Sequence, residues 1–77
     1  MKQNLANLKK GQSGVVVEIN VENVKRKIHL LEMGLTKGTK IRIKKIAPMG
    51  DPISIELRGY ELCMSKKDAT EVVIERN

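Results

Sequence analysis

Leu31-Glu32-Met33-Gly34-Leu35-Thr36-Lys37-Gly38-Thr39 is where the hydrophobic period of this chain changes. Ahead of it, Val24, Ile28, Leu31 and Leu35 recur at intervals of four, three and four. That spacing predicts a helix over 21–33 with these four residues on its buried face. Gly34 suits the left-handed position that follows a helix. Arg26, His29 and Met33 fall on the opposite face with Glu22, and Leu30 on the flank. Behind the stretch, Ile41 and Ile43 alternate with Lys40, Arg42 and Lys44, which is the two-residue period of a strand.

Working outward, the same alternation marks further strands. Val15, Val17 and Ile19 share one face of a strand from Gly14 to Ile19. Asn20 offers a capping oxygen near the start of the helix. Ile46 interrupts the alternation after Lys45, which predicts a bulge. Pro48-Met49-Gly50-Asp51-Pro52 is a loop by composition. Ile53, Ile55 and Leu57 form one strand, and Tyr60, Leu62 and Met64 the next, with Gly59 at the turn. Ser65-Lys66-Lys67-Asp68 resembles a capping box opening one helical turn, and Val72-Val73-Ile74 is a last strand. Leu5 and Leu8 read as a lead-in that lays two leucines on the core. The expected fold is mainly β: a small SH3-like barrel of about five strands with one inserted α-helix.

The composition fits this size of fold. A chain of 77 residues predicts one thin-cored domain. Tyr60 is the only aromatic residue, so the core is aliphatic plus methionine. The net charge of +6 suits an acidic protein, a nucleic acid or an anionic surface as partner. Cys63 is the only cysteine, which rules out an internal disulfide. No leader-like segment is visible, and the longest aliphatic run, Val15-Val16-Val17, is far short of the roughly 20 residues of a membrane span. A cytoplasmic protein is expected.

Several motifs stand in order along the chain. They are Leu5-x-x-Leu8-x-x-Gly11, Arg26, Leu30-Leu31-Glu32-Met33-Gly34-Leu35, Lys37-Gly38-Thr39, Ala47-Pro48-Met49-Gly50-Asp51-Pro52 and Gly59-x-x-Leu62. Together they closely resemble the ferrous iron transport protein A (FeoA) family, from about Leu5 to Ile74. The resemblance implies a single FeoA-like SH3-like domain over 1–77. It also implies a small cytosolic bacterial protein that assists a membrane ferrous iron transporter with a GTP-binding cytoplasmic domain (FeoB-like). One departure is Ser65-Lys66, where family members often carry arginine.

Chemistry is sparse. No Gly-x-x-x-x-Gly-Lys-Ser/Thr loop is present, so any GTP hydrolysis falls to a partner. No nucleophile, base and orienting group can be assembled, so no enzyme and no catalytic residue is expected. His29 and Glu32 stand three apart on the helix, but no second histidine or cysteine pair supports them. No metal ligand set and no cofactor is therefore assigned. Lys40, Arg42 and Lys44 form a cationic row that could follow phosphates, but the stacking aromatics of single-strand binders are missing. Protein binding is the leading expectation. Leu30, Met33 and Met49 would form an apolar patch, with Arg26 and Lys37 setting orientation. Membrane contact would run through the partner, and self-association is a further option. The alternatives are a small basic RNA-binding barrel and a metal-sensing module.

Overall fold

The computed structural model describes residues 2–76. Six strands form one antiparallel sheet: β1 (Lys2–Asn4), β2 (Ser13–Ile19), β3 (Lys40–Ile46), β4 (Ile53–Leu57), β5 (Tyr60–Met64) and β6 (Val72–Arg76). Their spatial order is β1-β6-β2-β3-β4-β5. The sheet curls about its inward residues, among them Val16, Ile41, Ile43, Ile55, Leu62 and Ile74, which meet in one core cluster. This is the expected barrel, with a sixth strand added. Lys2-Gln3-Asn4 shows no apolar alternation, and only its pairing with β6 makes it a strand.

The core is aliphatic plus Met64, with no aromatic ring, as composition predicts. Leu5 and Leu8 are both buried, and Leu5 opens a 3₁₀ turn over Leu5–Asn7. The alternation in β3 breaks between Ile43 and Lys45, one step before the expected bulge, leaving Ile46 partly exposed. A second bulge falls between Val16 and Glu18 in β2. Val16 is buried in the core, Val15 and Val17 are half-buried, and beyond the bulge Ile19 packs partly buried against the core. The β4–β5 hairpin turns through Arg58 and Gly59, both with positive φ, as a two-residue turn requires. The Asp51–Pro52 peptide bond is cis.

Two helices complete the fold. In α2 (Lys66–Thr70), the Ser65 hydroxyl accepts from the Asp68 amide at 3.1 Å, the cap expected from the sequence. The longer helix, α1, spans Val24–Glu32. Its cap is Asn23 and not Asn20: the Asn23 side chain accepts from the Arg26 amide at 3.0 Å. The Asn20 amide instead donates to the Glu71 carbonyl of the chain entering β6. Val21, expected inside the helix, precedes it and is buried in the core.

The face of α1 that packs inward reverses the expectation. Leu30 is only 3% exposed and Met33 packs partly buried on the core. Val24, Ile28 and Leu31 face outward, at 67%, 49% and 39% exposed. The cause lies at Gly34, whose φ of +95° ends the helix and redirects the chain. Leu35 is fully buried, but it reaches the core through this turn and not through the helical period. Its phase therefore says nothing about Val24, Ile28 and Leu31.

Candidate protein-docking site

The orientation of α1 is held at both ends. Near its start, Arg26 Nη1 lies 3.5 Å from Asp68 Oδ1, which ties α1 to α2. At its end, the buried Thr39 hydroxyl donates to the Gly34 carbonyl at 3.1 Å. Arg58 joins the same cluster: its Nη2 donates to Thr39 Oγ1 at 3.2 Å and its Nε to the Gly34 carbonyl at 3.4 Å. Between these anchors Leu30 enters the core. The helix is thus locked with its longer apolar stripe turned outward.

That stripe continues onto the sheet. Leu31 borders a groove of about 390 Å³ whose other walls include Val17 and Ile19 of β2. Lys27 and Lys37 stand on its rim with Glu18. Val24, Ile28 and Leu31 form an apolar stripe on the surface, a candidate interaction surface. Because each is already partly covered, a partner would gain only part of the roughly 1.5–3 kcal/mol of a fully buried side chain. Cationic rim residues set orientation and association rate for an acidic partner.

The expected docking residues sort differently against this geometry. Leu30 belongs to the core and Met33 underlies the helix, so neither supplies an open patch. The reason is the helix rotation described above. Met49 is 90% exposed in the β3–β4 loop. Arg26 is engaged with Asp68, while Lys37 lies beside the outward groove. Val24 and Ile28, taken from the sequence as core residues, are the ones the fold exposes. The signal for this was the break of helical phase at Gly34.

The cationic row on β3 is also altered by its neighbours. Arg42 pairs with Glu56 at 3.0 Å and Lys44 lies 3.6 Å from Glu61. Facing carboxylates weaken the row as a phosphate track. Among the described residues, no group of three or more His, Cys, Asp or Glu is placed to hold a metal ion. His29 and Glu32 are both exposed on α1, and Cys63 is exposed on β5. No helix among the described residues is long and apolar enough to cross a membrane.

The Glu61 carboxyl has a shifted protonation equilibrium. The Ser54 hydroxyl donates to its carboxylate, and Lys44 and Lys45 add positive charge, which together outweigh the opposing effect of burial. Its carboxyl is held below the ordinary glutamate value of 4.5. A depressed folded-state value contributes stability above the unfolded-state value, and loses it as pH falls through the folded one. Urea unfolding should therefore show Glu61→Gln less stable than wild type at neutral pH. The gap should close on the acid side of 4.5. A gap independent of pH would mean that charge on Glu61 is not what Ser54 and the lysines stabilise.

The fold and this surface define a class: a small SH3-like barrel that presents an apolar helix face. The FeoA domain model matches residues 3–76, and the chain belongs to the FeoA-domain family. An FeoA-like protein from Clostridium acetobutylicum is similar at 35% identity, with a TM-score of 0.85, covering 97% of this chain and 86% of that one. An iron uptake regulatory protein, also an FeoA, shares 30% identity over 100% of this chain and 99% of its own, with a TM-score of 0.85. The FeoA of Stenotrophomonas maltophilia, described as an SH3 domain protein and solved with zinc, is 24% identical. It has a TM-score of 0.82 and covers 95% of this chain and 89% of that one, a likeness of fold.

Proposed function

We propose that this protein is a non-enzymatic accessory factor of bacterial ferrous iron uptake. It works in the cytoplasm, on the cytoplasmic part of a membrane ferrous iron transporter with a GTP-binding domain, and modulates that transporter's assembly or activity. Family membership supports the iron transport role. The observation that supports docking is the outward stripe of Val24, Ile28 and Leu31 on a helix fixed at both ends. Lys27 and Lys37 flank the groove beside it and orient an acidic partner surface. Met49 lies outside that stripe and is assigned at most a peripheral contact.

A pull-down of the transporter's cytoplasmic domains tests this reading. Wild type should capture them, and Ile28→Glu should lose capture by tenfold or more, since a charge in a desolvated contact costs about 1.4 kcal/mol or more. Circular dichroism should show the variant folded. Equal capture by both proteins would remove the helix face from the reading. No capture by wild type would remove the transporter as direct partner.

A further inference from the structure

We propose that the open edge of β5 takes an extended acidic segment of a partner protein as an added strand. β5 stands at the end of the sheet and pairs only with β4. Leu57 and Tyr60 close the two-residue turn, so the pairs 57/60, 55/62 and 53/64 exchange the ladder hydrogen bonds. The amides and carbonyls of Glu61 and Cys63 therefore point away from β4. No other backbone hydrogen bond among the described residues reaches them, and both residues are exposed.

An added strand sends alternate side chains to opposite faces of the sheet. This edge has a groove on each face, and Cys63 borders both. On the inner side, Leu30 and Met64 lie beneath Arg26 and His29 in a groove of about 380 Å³ between α1 and β5. On the outer side, Ile46, Pro48 and Pro52 line a groove of about 450 Å³ whose rim carries Lys10 and Lys45. A strand edge protected only by its short length and its charges would not need apolar clefts on both sides.

Charge selects the occupant. Arg26 and Asp68 neutralise each other in the inner groove, which leaves Lys25 as its net cation. In the outer groove Glu61 is paired with Lys44 and accepts from Ser54, which leaves Lys10 and Lys45 as net cations. A second copy of this chain would bring the same cations to the same edge at a net charge of +6 each. An acidic segment neutralises them. This site is separate from the outward stripe of α1, because Leu30 lines it and Ile28 does not.

Amide hydrogen exchange followed by NMR tests the proposal with a short capped peptide of alternating glutamate and valine. Binding should slow exchange at the Glu61 and Cys63 amides selectively, because Leu62 and Met64 already donate to β4. A peptide with lysine in place of glutamate should give no such protection. Cys63→Pro removes an edge donor and leaves the β4 ladder intact, since proline is tolerated on an edge strand whose N–H faces solvent. It should weaken peptide binding at least about tenfold, by leaving an acceptor unpaired, whereas Cys63→Ala should bind as wild type. Protection at α1 without protection at Glu61 and Cys63 would overturn the proposal. So would equal binding of the lysine peptide, or protection of these amides without peptide in a sample that sediments as a dimer. If Cys63→Pro does not fold, the selective protection in wild type decides alone.

Discussion

Leu30→Ala is expected to remove about 2–5 kcal/mol of stability, while Ile28→Ala changes it by less than about 0.5 kcal/mol. The two residues are two positions apart on one helix, and sequence periodicity ranks them the other way round. Leu30 is 3% exposed in the core, beside the groove floor formed with Met64. Truncating it opens a cavity that the barrel, fixed by its strand pairing, can only partly close. Ile28 is 49% exposed, and alanine is the better helix former. Small domains hold only a few kcal/mol of net stability, so Leu30→Ala should be partly unfolded at room temperature. Denaturant titration with the tertiary structure monitored by NMR makes the measurement. A larger loss for Ile28→Ala would mean that α1 packs with its other face inward.

Gly34→Ala carries the second large effect. Its φ of +95° costs an L-residue roughly 1–2 kcal/mol. A Cβ there would also sit 2.6 Å from the Tyr60 hydroxyl and 3.3 Å from Arg58 Cδ. Both neighbours must move, and Arg58 is the residue that holds the Gly34 carbonyl and Thr39. The total is expected at about 2–4 kcal/mol, combining strain and loss of this cluster. Gly38 gives the control: it has φ +91° but nothing within 4 Å of its Cβ position, so Gly38→Ala should show strain alone. Tyr60→Phe removes the nearest clashing atom, so in that background Gly34→Ala should recover part of the difference. A double-mutant cycle by urea unfolding reads the coupling. Equal losses at Gly34 and Gly38 would show that the Tyr60 contact carries no energy.

The same helix explains how much of the site was legible in the sequence. Its existence, its glycine stop and its apolar content were readable from 3.6-residue spacing and from Gly34. Its rotation was not. Two apolar sets lie nearly opposite on α1: Val24, Ile28 and Leu31 on one face, and Leu30 with Met33 on the other. Counting favours the longer set. The shorter one faces the core because the turn at Gly34 sets how the chain leaves the helix; the contacts of Arg26 with Asp68 and of Arg58 with the Gly34 carbonyl, between residues more than twenty apart in sequence, accompany that packing. β1 escaped for a related reason: Lys2-Gln3-Asn4 becomes a strand through pairing with β6 at the far end of the chain. The cationic β3 row was legible as residues, but the glutamates that face it come from β4 and β5.

The sequence by itself determined a mainly β barrel with an inserted helix, an aliphatic core, the Ser65–Asp68 cap and the family. These rest on local spacing, on residue chemistry near in sequence, and on ordered motifs. Only the tertiary structure decided which side of α1 meets the barrel, because that follows from the turn at Gly34 and the packing against distant strands and not from spacing along the helix. Ile28 was thereby left to the surface and Leu30 to the core. The open β5 edge with a groove on either face arose the same way, from the order in which distant strands close one sheet.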